Sequence, residues 1–416
     1  MPLRQGPHRA GWNAPRLGRV AAALALSAVF AAAPAPLQSQ TPRRGIQPDR
    51  EFPVLPIGSP LPAFELPGID GSNHKSSEYA KSRLLAVVFE SNHCPVSQLY
   101  EARIEKLHDE YGRKGVAFVA INPNNPKAVR LDELGYTDVT DSLPEMKLRA
   151  QARGISWPYL YDGDTQTTSM KFGAVATPHL FIFDQERKLR YQGRIDDNQR
   201  EELVKVHDAR NALDALLAGR AVPVAETKTF GCTTKWLAKA SGVDQEWVRI
   251  QKEPVTVALA GVEELKRMRA NPTDKVMLVR FWSTGCADCT GDFPDLETTY
   301  RMYRQRAFDL VTISTDPPAA SAAVLEFLRK QHASSPNKQF SSTDRATLQA
   351  AWGEKWNLAA PLTMVIAPGG QVLFKKEGAI DILDVRRIIL ASMPDTSGYI
   401  GSKAYWMKAA AQARKK

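Results

Sequence analysis

The chain has 416 residues, of which 43% are hydrophobic and 24% charged, with a formal net charge of +10. That length predicts two or three domains, each long enough to bury a core. Residues 1–44 hold six Lys or Arg and no acid, and residues 403–416 hold five and no acid. The body is therefore close to neutral, which excludes a basic nucleic-acid surface on the fold and leaves no nucleic acid among the expected partners.

Residues 1–40 read as a signal peptide. Arg4, Arg9, Arg16 and Arg19 precede an apolar run over 20–33, which Pro34 stops. The run is shorter than the about 20 apolar residues of a membrane-spanning helix, and small residues at 31–35 suit cleavage. An uncleaved anchor is the alternative. Export implies a periplasmic or secreted protein in an oxidising compartment, where four cysteines as two pairs are stable. Residues 41–54, rich in Pro and Arg, read as a linker.

A first domain spans 55–240. Its strand-like run at 84–90 leads into Ser91-Asn92-His93-Cys94-Pro95, followed by a helical pattern through Leu99, Ile104, Leu107 and Tyr111. A buried strand over 115–121 ends at Asn122-Pro-Asn-Asn-Pro126. A helix near 145–152, a short strand near Tyr159 and a short helix come next. Thr177-Pro178 opens a strand over 179–183, with a hairpin partner at 190–194 and an amphipathic helix over 201–217. The order is β-α-β, then β-β-α.

This stretch resembles the peroxiredoxin-like, AhpC/TSA-related group of thioredoxin-fold proteins. The residues that carry the resemblance are Phe89 with Asn92-His93-Cys94-Pro95, Gly115 to Asn122, Ala176-Thr177-Pro178, Gly193 to Asp197, and Gly231-Cys232-Thr-Thr-Lys235-Trp236. The group's active segment is usually Cys-Asn-His-Cys, and here Ser91 replaces the first cysteine. Peroxiredoxins proper carry Pro-x-x-x-Thr/Ser-x-x-Cys. Ser91 fits its hydroxyl position, but Val87 replaces its proline. Three readings of Cys94 stand together: a peroxide-reactive thiol resolved by Cys232, half of a stable Cys94–Cys232 disulfide, or a leftover thiol in a scaffold domain. A protonated His93 would lower the thiol pKa.

Residues 241–253 read as a linker, and 254–396 as a second domain. A strand over 255–260 and a helix over 262–269 precede an apolar run at 275–282, which enters Cys286-Ala-Asp-Cys289. A helical pattern (Leu296, Tyr300, Tyr303) follows, kinked by Pro294. Then come a strand over 308–314, helices over 320–330 and 345–352, a strand over 359–366, a Gly369-Gly370 turn, a partner strand at 372–375 and a helix over 382–391.

A strand ending in Cys-x-x-Cys at a helix start is a redox arrangement. The helix N-terminus stabilises a thiolate on Cys286, and Cys289, one turn on, resolves a mixed disulfide. Half of a zinc site, a structural disulfide and a copper-holding pair are the other readings. Zinc needs four ligands, and the spacing supplies no second pair, so no metal or cofactor is expected.

The pair resembles the TlpA/ResA-like branch of the thioredoxin superfamily, with Cys286, Cys289, Asp292 and Pro294 on its motif. Gly285 and Asp288 depart from it, and Asp288 should weaken the pair as an oxidant. The resemblance implies a proton-handling role for Asp292. It also implies cis prolines at Pro178 and Pro361, with Thr177 and Ala360 offering backbone groups to a substrate. Residues 397–416 read as a basic, solvated helical tail.

The expected architecture is α/β: two tandem thioredoxin-like folds, each a central mixed sheet flanked by helices. The expected function is an exported thiol-disulfide oxidoreductase working through Cys286 and Cys289. A thiol peroxidase at Cys94, reduced by domain two, is the alternative, and a non-enzymatic binding or copper-handling protein is the second. Partners are then protein thiols or disulfides, small thiols, or a hydroperoxide; reduction would need an upstream membrane electron donor, which the sequence does not identify.

Overall fold

The computed structural model describes residues 52–394 and 403–415; residues 1–40, read above as a signal peptide, lie outside the described residues. Two sheets share one five-strand order, to which the second adds Ala258–Ala260 at its edge. The first runs Tyr159–Tyr161, Val116–Asn122, Leu84–Phe89, His179–Phe183, Leu189–Gly193. Its first three strands are parallel and the last two antiparallel. The second runs Ala258–Ala260, Asn337–Phe340, Phe308–Ser314, Val276–Trp282, Leu362–Ile366, Val372–Glu377, with four parallel strands and two antiparallel. Both are mixed sheets flanked by helices in the thioredoxin-like order, and both belong to one compact unit.

The central strands explain the layering. Leu84–Phe89 and Val276–Trp282 are buried along their whole length. Strands buried on both faces read as unbroken apolar runs, and alternate side chains enter opposite cores. Leu84, Ala86 and Val88 join one core, while Leu85, Val87 and Phe89 join the other. Each buried Leu, Val or Phe among them contributes about 1.5–3 kcal/mol of transfer free energy. Each central strand delivers its cysteine segment to the carboxyl edge of the parallel strands, where open α/β sheets place their sites.

Several elements differ from expectation. The stretch read as a linker contains a helix, Ser241–Ile250, with Val243, Trp247 and Ile250 at helical spacing and no proline to stop it. The single helix expected over 201–217 splits into a 3-10 turn, Glu201–Leu203, and a helix, Asp208–Leu217. Between them the Lys205 and Asp197 amides bond to Asp197 and Val206 instead of continuing the helix. Pro294 does more than kink: the helix ends at Gly291 and a new one, Phe293–Tyr303, carries Pro294 in its first turn, where its missing N–H costs nothing.

The tail is helical over Lys403–Ala413 but not solvated. Trp406, Ala410 and Ala413 are buried with Val385 and Ile389 in the second fold's core. Apolar residues at 406, 410 and 413 make the stripe that docks, and Met407 and Lys408 lie on the exposed face.

Residues 123–142 leave the first sheet and return. Val129 and Leu134 on this excursion are buried in the second fold's core, with Leu131 packed beside them. Among the described residues no helix is long and apolar enough to cross a membrane.

Candidate functional sites

Cys94 caps the helix Pro95–Gly112. Pro95 stands at the first helical position, where its fixed φ suits the turn, and the Ser97 N–H reaches the Cys94 sulfur at 3.4 Å. The thiol is fully buried. Its neighbours come from four segments. Thr177, joined to Pro178 by a cis bond, receives the neutral thiol on its carbonyl at 3.3 Å. The Thr177 hydroxyl meets that of Ser91 at 3.1 Å.

Cys232 lies opposite Thr177 in a short antiparallel pairing and is hydrogen-bonded to the Cys94 sulfur. Gly231 makes this approach possible, since a Cβ there would sit 2.0 Å from the Thr177 carbonyl oxygen. Both cysteines are free thiols in this structure. The Thr177 backbone is thus engaged inside the protein by Cys94 and Cys232, not held open.

His93 and Asp141 complete the site. Asp141 is wholly buried and takes five donors: the Asn92 amide at 2.7 Å, the His93 amide at 3.4 Å, Asn122 Nδ2 at 3.1 Å, Asn124 Nδ2 at 3.0 Å, and His93 Nδ1 in a short contact. Burial raises its pKa, but the His93 charge and these donors outweigh that and hold it below the usual carboxylate range. Burial likewise disfavours the His93 cation, yet the Asp141 carboxylate holds its pKa above the ordinary value. His93 Nε2 is buried and unpartnered.

For Cys94, burial raises the pKa. The Cys232 thiol, the His93 charge and the Ser97 N–H together bring it down to about 6. Cys232 moves the opposite way, chiefly because it donates to Cys94. Cys94 is therefore the thiol that ionises and Cys232 the one that keeps its proton.

The second site is a closed disulfide between Cys286 and Cys289, Cα atoms 5.1 Å apart. Cys286 is half-buried at the start of the turn Ala287–Gly291, and Cys289 is buried against Trp282 and Phe293. The Cys289 N–H points at the Cys286 sulfur, 3.2 Å away. Asp316 steadies the approach by accepting from the Thr284 amide and hydroxyl, at 3.0 and 2.7 Å.

Arg280 has no exposed side-chain surface and reaches the same turn. It donates to Asp292 at 2.7 Å and to the Asp288 carbonyl, between the two cysteines, at 3.3 Å. Asp292 is thus ion-paired here, and the Asp288 side chain faces solvent.

Pro361 departs from expectation. Thr177–Pro178 is the one cis bond among the described residues, so Ala360–Pro361 is trans, the form a tertiary amide favours by roughly 0.5–1 kcal/mol. The Ala360 N–H closes a turn onto Asn357 at 2.9 Å, and the Pro361 carbonyl accepts from Gly378 at 2.9 Å.

Sequence reasoning reached Cys94, His93 and Cys232 but missed Asp141, Asn124 and Arg280. Asp141 precedes a helix by two residues and looks like a capping residue. Arg280 is a lone charge in an apolar strand, and that was the available signal.

Residues 57–192 match the AhpC/TSA family. Among solved structures the chain is similar to a hypothetical protein of Sinorhizobium meliloti, at 33% identity over 44% of this chain and 96% of that one, TM-score 0.40. It is similar to an uncharacterized conserved protein of Geobacillus kaustophilus, at 34% identity over 44% and 94%, TM-score 0.40. A peroxidoxin of Mycobacterium tuberculosis aligns at 20% identity over 40% and 98%, TM-score 0.30. No curated protein matches the chain.

Proposed function

We propose, for a chain that belongs to the AhpC/TSA family through residues 57–192, that it is a thiol-disulfide oxidoreductase whose exchange pair is Cys286–Cys289. The observation that carries this reading is the asymmetry of the pair: a half-exposed Cys286 bonded to a buried Cys289 whose amide faces the Cys286 sulfur. In the reduced state the Cys286 thiolate attacks a substrate disulfide, forming a mixed disulfide and releasing one substrate thiol. Cys289 then attacks Cys286, re-forms the internal bond and releases the second thiol. Two electrons leave the pair, and an external dithiol must restore them. Asp292 beside the pair is the proposed proton carrier, acting when Arg280 yields it. Ala360 and Pro361 are the proposed substrate edge.

A second reading is favoured by the thiol site of the first fold. The Cys94 thiolate, with His93 and Cys232 beside it, suits attack on a hydroperoxide. The O–O bond breaks, an alcohol or water leaves, and Cys94 becomes a sulfenic acid. Cys232 condenses with it and water is lost. The Cys286 and Cys289 dithiol, once an external dithiol has reduced it, then opens the Cys94–Cys232 bond by exchange and closes to the Cys286–Cys289 disulfide. In either reading Thr177, whose carbonyl accepts from Cys94, and the adjoining Pro178 are the proposed substrate edge of this site. Export through residues 1–40 is part of the proposal, and fractionation of the expressed full chain tests it.

The deciding experiment is a redox titration with alkylation of each cysteine read by mass spectrometry. A Cys286–Cys289 pair that opens and closes reversibly at a potential of about −120 to −270 mV supports exchange. A pair that stays closed far below that range removes the reading. Limited peroxide that leaves neither a Cys94 sulfenic acid nor a Cys94–Cys232 bond removes the second.

A further inference from the structure

We propose that the second fold tunes the thiol of the first: Tyr303, Arg386 and Arg387 are positioning residues that hold segment 135–141, and through it Asp141, against His93.

The segment is gripped from two sides. From the second fold, Tyr303 donates its hydroxyl to the Thr137 carbonyl at 2.7 Å. Arg306 donates to the Gly135 carbonyl at 2.7 Å. Arg386 donates to the Asp138 carbonyl at 3.1 Å, and Arg387 to Asp138 Oδ2 at 2.8 Å. From the first fold, Gln98 on the Cys94 helix bridges the Asn92 and Tyr136 carbonyls at 2.8 and 3.0 Å. Asn92 Nδ2 donates to the Thr140 carbonyl at 2.8 Å. Three residues past Asp138, Asp141 takes its five donors. Thr137, Asp138, Val139 and Asp141 have no exposed surface.

Asp138 makes the coupling specific. A buried carboxylate needs partners, and losing one leaves a charge stranded. Arg387 meets one of its oxygens, and the other faces Arg149 Nη1 at 3.7 Å. Arg149 in turn pairs with Glu101 at 2.8 Å and lies under the rings of Tyr405 and Trp406 in the docked C-terminal helix. If Arg387 is removed, Asp138 must shift toward Arg149 or recruit water. The turn that Thr137 closes on Val139 carries that shift to Asp141.

The groups facing Cys94 are His93, Cys232 and, acting on both, Lys235. None of these belongs to the second fold. An effect that the uncharged change Tyr303→Phe shares with Arg387→Met therefore passes through the segment.

The inference rests on Cys94 being a reactive thiol, and its test separates the two. In the full chain, with Cys286–Cys289 left oxidised, the ultraviolet thiolate absorbance that disappears in Cys94→Ser is followed against pH. Wild type should titrate at about 6. Asp141→Asn should raise the midpoint, and so should Arg387→Met and Tyr303→Phe, by roughly half a unit or more on a thiol whose ordinary pKa is about 8.5. Arg387→Lys should keep the wild-type midpoint.

A raised midpoint in Asp141→Asn with none in Arg387→Met and Tyr303→Phe, whatever their melting temperatures, overturns this inference and leaves the reactive thiol intact. A wild-type Cys94 that titrates as an ordinary thiol removes the reactive-thiol reading, and this inference with it. Should Arg387→Met not fold, Tyr303→Phe, which loses one oxygen from a buried side chain, decides.

Discussion

Arg280 and Asp292 form an ion pair directly under the Cys286–Cys289 turn, 2.7 Å between Nη2 and Oδ2, with the guanidinium buried and the carboxylate partly exposed. The same Nη2 donates to the Asp288 carbonyl within the turn. A net charge left there acts on the thiolate form of the pair.

The first prediction follows from that charge. Asp292→Asn leaves the guanidinium uncompensated, which stabilises thiolate and the reduced state, so the pair becomes a stronger oxidant. The expected rise is on the order of 30 mV, equivalent to about 1.4 kcal/mol for two electrons. Arg280→Met leaves the carboxylate alone and moves the potential down, while the broken pair costs about 3–5 kcal/mol of stability. Equilibration with glutathione reads both potentials. Shifts of the same sign in the two variants would refute the electrostatic account.

The second concerns pH and the His93–Asp141 pair. Asp141 has a folded pKa below its unfolded one, so its contribution is present above the unfolded value of about 3.9 and is lost as pH falls through the folded value. His93 has a raised folded pKa, so its contribution is complete below the unfolded value of about 6.5 and is lost as pH rises through the folded value. The stability gap between wild type and His93→Gln should therefore be widest between about pH 4 and 6.5 and shrink on both sides. Denaturant midpoints measured across pH check this. A gap that grows steadily above neutrality would contradict it.

How far the site is legible depends on the range of its contacts. Both cysteine segments follow an apolar β-run and open a helix, so local pattern placed Cys94, Cys286 and Cys289. The partners come from far away in sequence. Asp141 lies 48 residues from His93, and its role is set by burial, which spacing does not report. Asn337–Phe340 has three polar residues before Phe340, and Asn337 is bonded inward to Thr312 and to the backbone around it, so no apolar alternation marked it. Pro361 shows the reverse. The motif was correct for Pro178, but at 361 a local turn on Asn357 leads into a trans bond. The Arg and Lys of the tail suggested solvent, yet Trp406, Ala410 and Ala413 decided its placement.

The third prediction tests the close approach of Cys232 to Cys94. A Cβ on Gly231 would meet the Thr177 carbonyl at 2.0 Å, against backbone that cannot swing aside. Gly231→Ala should cost about 1–3 kcal/mol as the strand is pushed away. Cys232 would then no longer donate to Cys94. The thiol midpoint should rise, and peroxide should yield more Cys94 sulfenic acid and less Cys94–Cys232 bond by mass spectrometry. An unchanged yield of the bond would show that the approach is not limiting.

The fourth tests the docked tail. Trp406 is buried among Val385, Ile388 and Ile389, and its ring lies 5.4 Å from the Arg149 guanidinium that faces Asp138. Trp406→Ala removes apolar volume from the core and a neighbour from Arg149, and should destabilise the chain by about 3–5 kcal/mol. Met407, on the exposed face of the same helix, should tolerate alanine within about 0.5 kcal/mol. Because Arg149 is shared between the tail and segment 135–141, Trp406→Ala should also raise the Cys94 midpoint, by less than Arg387→Met does. Chemical denaturation and the thiolate titration measured on the same samples separate packing from positioning: a large loss of stability with an unmoved midpoint would confine the tail to a structural role.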